Sequence, residues 1–325
     1  MLILGGGNAG FGVTVPTRGA GLKVALVEER DLGGTCPNRG CTPKKVLVAA
    51  GHALHEINQA HVHGISVAKP ELDWAALIDR EKEMISGIPD SLAETLQERG
   101  VDPFRDSACF VGPNANKVGS RTIEAKHIVI ATGSRPRSLP IQGAELMITS
   151  DEVLSEHEQP GSVVFVGGGV SRLLPERDED AVEHIRAESE RIGIEVPTGV
   201  KVARVEKSGN QLRTVFGANG KERSVVSDRV VNGAGRIANV DYLDLEAGGV
   251  AHAGFRLAVD DYLRSASTPP SMRAATFYPA RRNSRPSPPT KGSSSAATSS
   301  RGRSTSPSMR AFRPPSTPCR HWRAG

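Results

Sequence analysis

The sequence is poor in cysteine, in aromatic residues and in long apolar runs, and no Asp or Glu occurs after Asp261. Four cysteines in 325 residues do not make a disulfide scaffold. Two of them, Cys36 and Cys41, lie close together, whereas Cys109 and Cys319 stand alone. Structural zinc asks for four ligands, usually two such pairs, so no metal is expected. No stretch approaches the ~20 consecutive apolar residues of a membrane helix. The start, Met1-Leu2-Ile3-Leu4, runs into glycines without a charged leader or a cleavage site. A soluble, cytoplasmic protein with no membrane partner is the expectation.

The missing acids also account for the charge. From Ser265 onward there are ten Arg and one Lys against no acid, a local +11, and the total is only +5, which leaves −6 for the first 264 residues. The basicity belongs to a tail of Ser, Pro, Arg, Thr and Ala that has few aromatics to stack bases, so no specific nucleic-acid partner is expected. That tail has no hydrophobic period to offset chain entropy, and residues 265–325 read as disordered.

What is present is an α/β pattern. The apolar run Met1–Leu4 ends in Gly5-Gly6-Gly7-Asn8-Ala9-Gly10, and a helix should follow, interrupted by Pro16. Leu22–Val27 is a second strand ending at Glu28. Pro43 should open a helix with the body Lys44–Ile57, a longer helical segment covers Trp74–Arg99, and Lys126–Ala131 is a buried-type strand. Ser162–Val166 begins a second unit at Gly167-Gly168-Gly169, followed by a helix at Ala181–Ile192 and strands near Val200–Val205, Gln211–Phe216, Arg223–Val226 and Val230–Val231.

Gly5-x-Gly7-x-x-Gly10, between a strand and a helix, is a dinucleotide pattern. The first glycine allows the turn, the second lets a pyrophosphate approach the helix N-terminus, and the third lets helix and strand pack closely. Glu28, at the end of the next strand, can accept from ribose hydroxyls. Cys36 and Cys41 flank Pro37-Asn38-Arg39-Gly40 at the start of a helix. The helix dipole and the nearby Arg39, Lys44 and Lys45 favour thiolate over thiol, so one sulfur can attack a disulfide and the other can resolve it. His52, His55, His61 and His63 lie close together but have no Cys or carboxylate to complete a metal site, and solvated histidines are the expectation.

The run Gly33-Gly34-Thr35-Cys36-x4-Cys41-x-Pro43-x-Lys45 resembles the active-site signature of the class I pyridine nucleotide–disulfide oxidoreductases, the family of dihydrolipoyl dehydrogenase, glutathione reductase and mercuric reductase. The similarity extends through Ala131-Thr132-Gly133-Ser134 and Gly235-Arg236, over about residues 1–264. It implies a Rossmann-like FAD domain with an inserted NAD(P)-binding domain, and electron flow from NAD(P)H through FAD to the Cys36–Cys41 disulfide and on to a small-molecule or protein disulfide. Cys36 would exchange with substrate, Cys41 would face the flavin, Lys45 would contact it, and Glu28, Gly34, Thr35 and Ala131–Gly133 would line the FAD. Gly167, Gly169 and Gly235 would complete the nucleotide turns.

Two departures follow from the same comparison. After Gly167-x-Gly169 the chain passes from Val170 directly to Ser171-Arg172-Leu173-Leu174-Pro175, so about 20 residues of a ~30-residue βαβ unit are missing. The NAD(P)H site is therefore incomplete. The family's homodimerisation domain, with its His…Glu pair, is also missing, which removes acid–base help worth about 10²–10⁴-fold. Back-translation of Ala275–Ser284 with GC-rich codons, shifted by one base, yields Gly-Asp-Val-Leu-Pro-Gly, which suggests a change of reading frame near residues 265–275. The expected layout is residues 1–148 and 237–264 for FAD, 149–236 for an incomplete NAD(P) unit, and 265–325 as tail. An inactive, truncated member of the family is the alternative.

Overall fold

Three residues, Leu2–Leu4, form β1, and all three are inaccessible because strands pair with them on both sides. In a computed structural model that describes residues 1–167, 172–174, 177–218, 220–267 and 272–274, the chain continues with α1 (Asn8–Gly19), β2 (Val24–Glu28), α2 (Thr35–Arg39), α3 (Cys41–Gln59), α4 (Trp74–Ser86), α5 (Ile88–Glu98) and β3 (Val101–Arg105). A meander of β4 (Ala108–Gly112), β5 (Ala115–Val118) and β6 (Arg121–Glu124) leads to β7 (Ile128–Ile130). Then come β8 (Ser134–Pro136), α6 (Ser150–Val153), β9 (Val163–Val166), α7 (Glu179–Arg191), β10 (Lys201–Ser208), β11 (Gln211–Ala218), β12 (Lys221–Ser227), β13 (Arg229–Asn232) and β14 (Arg236–Ala238). The hairpin β15 (His252–Ala253) and β16 (Arg256–Leu257) precedes β17 (Met272–Ala274).

The main sheet has the order β17-β7-β1-β2-β3, and every pairing in it is parallel. Parallel strands are covered on both faces, which is why they read as unbroken apolar runs in the sequence. Side chains alternate between the faces. Leu2, Leu4, Ile128 and Ile130 pack toward the β4–β6 meander and the segment Val240–Val250, while Ile3, Val129 and Leu26 pack toward α1 and α5. The fold is the expected α/β class with a Rossmann-like parallel sheet.

Three local expectations are corrected. Pro16 does not interrupt α1, which runs on to Gly19. The last turn is held from outside, because the Arg18 guanidinium donates to the Arg99 carbonyl at 2.7 Å and to that of Leu22 at 2.7 Å. These anchors outweigh the bond that proline removes. The segment from Trp74 to Arg99 is two helices, broken at Gly87 where Pro89 starts the second in its favoured first-turn position. Met272–Ala274, placed in the disordered tail, is a strand pairing with Ile128–Ile130. Main-chain pairing along the open edge of β7 asks little of the side chains, so composition alone misses it.

The second unit is thinner. Strands β9 and β13 form a two-stranded parallel sheet among the described residues, beside the antiparallel β10-β11-β12. Its small core is Val166, Val205 and Val230. On the other face of β9, Phe165 is 69% exposed, so no described element covers it. The pairing of β14 with β8 joins this unit back to the main domain.

Two outcomes test this packing. Replacing Ile130, which is fully buried in β7, by Ala is expected to cost about 2–5 kcal/mol in urea unfolding. A loss under about 1 kcal/mol would show that β7 is not core. The second concerns His252, whose Nδ1 faces the Gly254 carbonyl at 2.9 Å and whose Nε2 faces Glu246 Oε1 at 3.0 Å. Both partners are acceptors, which the doubly protonated ring satisfies, and the Gly254 bond followed by the Glu246 bond raises its pKa. The folded pKa lies above the unfolded one, so this stabilisation is complete below the ordinary value of about 6.5 and is lost as pH rises through the raised value. Wild type should therefore lose its advantage over His252→Gln as pH is raised through that value. An advantage that grows with pH would contradict the assignment.

Candidate functional site

The glycine pattern acts through close backbone approach. A Cβ on Gly10 would overlap the Gly5 carbonyl oxygen, so α1 can lie this close to the end of β1 only with glycine there. Gly7 is the N-cap of α1, and a Cβ there would meet nothing nearer than Gly34 Cα at 3.8 Å. The helix N-terminus is thus open to an anion. The Glu28 carboxylate, at the end of β2, accepts from the Gly6 N–H at 2.7 Å and the Arg30 N–H at 3.0 Å.

A second glycine segment joins this loop. The Gly33 N–H donates to the Gly6 carbonyl at 2.9 Å, and Gly7 and Gly33 form a parallel bridge. Gly34 has φ +64°, and a Cβ on it would stand 2.8 Å from Gly7 Cα. Only glycine combines that backbone with that proximity. The helix α2 begins directly afterwards and carries Cys36, while Cys41 is the first residue of α3. Asn38, buried between them, donates to the Leu32 and Gly34 carbonyls at 3.0 Å each and fixes the turn.

Both cysteines are free thiols, Cys36 half-buried and Cys41 exposed. A hydrogen bond from Cys41 is the main influence holding Cys36 below the ordinary cysteine range, with further help from the Asn8 side chain and the charge of Lys45. The same bond pushes Cys41 up. The thiolate therefore belongs to Cys36. The Arg39 guanidinium is engaged by Asp31 at 2.6 Å and Asp151 at 3.6 Å, while Lys45 is the cation whose charge acts on Cys36.

A cleft of about 280 Å³ opens beside these loops. Of the residues singled out in the sequence, Gly5, Gly7, Glu28, Gly34, Thr35, Ala131, Thr132 and Gly133 line it. Gly10 lies behind the loop, against Gly5. Lys45 stands by the cysteines rather than in the cleft. Gly235, at φ +98°, accepts from the Arg137 N–H at 2.9 Å and precedes β14. Gly167 follows β9 with open space around it, and Gly169 lies outside the described residues. No group of three metal-ligating side chains occurs among the described residues, and none of their helices is long and apolar enough to cross a membrane.

Beside Arg236, which the family resemblance already marked together with Gly235, several cleft residues from other parts of the chain were not foreseen. Arg236 donates to Ser134 Oγ at 2.9 Å and to the Ser134 carbonyl at 2.5 Å. Asp106, Asp151, Asn239 and Tyr242 also face the cleft. The Thr132 hydroxyl is buried with no hydrogen-bond partner among the described residues, a cost of about 1–3 kcal/mol that a bound acceptor would remove. The Gly235-Arg236 pair was the one available signal for the second strand of this wall.

A family model described as pyridine nucleotide-disulphide oxidoreductase matches residues 1–171 and 170–269. The chain is 30% identical over 290 residues to a glutathione reductase of Burkholderia cepacia, covering 82% of this chain and 64% of that protein. It is 27% identical over 295 residues to a dihydrolipoyl dehydrogenase of Bacillus subtilis (strain 168), with coverage of 82% and 64%. Identity to a mercuric reductase of Lysinibacillus sphaericus is 30% over 275 residues, covering 77% and 50%. The chain therefore spans between half and about two-thirds of the length of these relatives. The two stretches matched to the family model meet at residues 170–171, where the sequence suggests a missing segment.

The cysteine asymmetry is directly measurable. In a pH series of iodoacetamide labelling read by peptide mass, Cys36 should react at lower pH than an ordinary thiol. The variant Cys41→Ala should move that profile upward by removing its main cause. A Cys36 profile unaffected by Cys41→Ala would contradict the arrangement.

Proposed function

The chain belongs to the pyridine nucleotide-disulphide oxidoreductase family, and we propose that it is a flavoprotein of the dihydrolipoyl dehydrogenase and mercuric reductase type that uses Cys36 and Cys41 to reduce a disulfide. The observation that carries this reading is the bond between the Gly5–Gly10 loop and the Gly33–Gly34 segment, which makes the nucleotide cleft and the dithiol one site. Residues 1–148 with 237–264 form the FAD part in this reading, and 149–236 the remnant of a nicotinamide part.

The residues present fit FAD. The glycine cradle at Gly7 and Gly34 leaves room for a pyrophosphate, and the unpartnered Thr132 hydroxyl offers a donor. Gly5, Gly7, Gly34, Thr35 and Ala131–Gly133 would hold the group, and Glu28 its ribose. When bound, FAD would supply the hydride-transfer chemistry that no side chain provides. The protein's own step is thiol–disulfide exchange. The Cys36 thiolate attacks one sulfur of the substrate disulfide and expels the other as thiolate. Cys41, on losing its proton, attacks Cys36 in the mixed disulfide and releases the second substrate thiol. Two electrons reach the substrate and the Cys36–Cys41 disulfide remains, balancing the exchange.

The residues present do not fit NAD(P)H. Among the described residues, β9 pairs only with β13, and Phe165 lies open where a nucleotide-binding unit would carry further structure. The same features, with the short span against the relatives, favour a second reading in which the chain has lost turnover and keeps only flavin or dithiol chemistry.

Purified chain supplied with FAD should stay yellow through gel filtration, and NADH or NADPH should bleach it far more slowly than dithiothreitol does. A colourless chain would overturn the flavin reading, and bleaching on mixing with NADH would overturn the nicotinamide part. Separately, Cys41→Ser should trap a mixed disulfide on Cys36 when offered a small aromatic disulfide, and Cys36→Ser should trap none. Trapping on Cys41 instead would reverse the assigned order.

A further inference from the structure

Among the described residues that line the cleft, one is aromatic, Tyr242, and it belongs to none of the motifs that define the site. We propose that Tyr242 recognises the adenine ring of the bound nucleotide and so makes the cleft select FAD over flavins that lack an adenylate. This rests on the flavin reading above and adds a specificity-determining residue to it.

Position is the first argument. The dithiol and Thr35 stand at one side of the glycine loop, where the reactive ring of a flavin must lie to meet the cysteines. Glu28 ends β2 on the other side, and Tyr242 lies beside it, interacting with both Glu28 and Glu29. A dinucleotide laid across the loop with its pyrophosphate on α1 therefore directs its second base toward Tyr242. Fixity is the second argument. The segment bearing Tyr242 is tied down on both sides, by the Asn239 N–H to the Gly133 carbonyl at 3.0 Å and by the Phe110 N–H to the Leu243 carbonyl at 2.7 Å. The next residue, Leu243, is fully buried. Tyr242 itself keeps 36% of its surface open, beside the cleft it lines.

Charge decides the chemical class of the occupant. Burial first, then the Glu29, Glu28 and Asp241 charges, raise the Tyr242 pKa and keep the phenol neutral. Glu28 and Glu29 stand near it and Asp241 is paired with Arg135 at 2.9 Å, so the neutral ring offers a ligand an uncharged face suited to a neutral base. An aromatic side chain stacks on any purine face without asking for particular hydrogen bonds.

The test compares FAD, ADP and FMN binding to wild type, Tyr242→Phe and Tyr242→Ala by calorimetry. Loss of the ring in Tyr242→Ala should weaken FAD and ADP alike, on the order of 10- to 100-fold, as expected from base stacking. Tyr242→Phe should hold both within about 3-fold, since the ring remains. FMN, which has no adenine, should bind wild type and Tyr242→Ala equally or not at all. Should Tyr242→Ala fail to fold by circular dichroism, Tyr242→Leu replaces it, with the same loss expected. Unchanged FAD and ADP affinity in the ring-deleted variant overturns the proposal while leaving the flavin reading intact. So does an equal loss for FMN. A wild type that binds no FAD overturns the flavin reading and Tyr242's role with it.

Discussion

Everything at this site depends on two stretches of backbone lying closer together than side chains would allow. The Gly5 carbonyl sits where a Gly10 side chain would begin, and Gly34 packs on Gly7 where any Cβ would be crowded. The first contact holds α1 against the end of β1. The second, with the Gly33–Gly6 hydrogen bond at 2.9 Å, carries the cysteine helix to the same place. The central strand makes both possible, since Leu2–Leu4 is buried on every side and gives the loops a fixed base.

On that base the site separates its chemistry by position. The sulfur pair is asymmetric because one thiol donates to the other, so a single thiolate is favoured at Cys36 without a metal or a buried base. Arg39, between the two cysteines in sequence, is held by Asp31 and Asp151. Glu28 and Glu29 stand at the other end of the cleft, with Tyr242 beside them.

The sequence displayed the parts of this that are sterically local. Gly5, Gly7 and Gly10 are spaced by the geometry of one turn and one helix, and Glu28 by the length of one strand, so their pattern survives without knowledge of the fold. The Cys36–Cys41 spacing is local in the same sense. Tyr242, Asp106 and Asp151 were not legible, because each reaches the cleft from a separate stretch of chain and belongs to no short pattern. Pro16 misled for the opposite reason, since local propensity argued for a break that the distant Arg99 carbonyl prevents through Arg18. The strand Met272–Ala274 escaped notice because backbone pairing leaves no mark on composition.

The central claim is that the nucleotide cleft and the dithiol form one site. Its most direct test is the rate of Cys36 alkylation in the reduced chain, measured with and without saturating FAD while flavin occupancy is followed by absorbance. The account predicts that bound FAD changes the rate at Cys36 clearly and leaves Cys109, on β4, as it was. Full flavin occupancy with no change at Cys36 would contradict it.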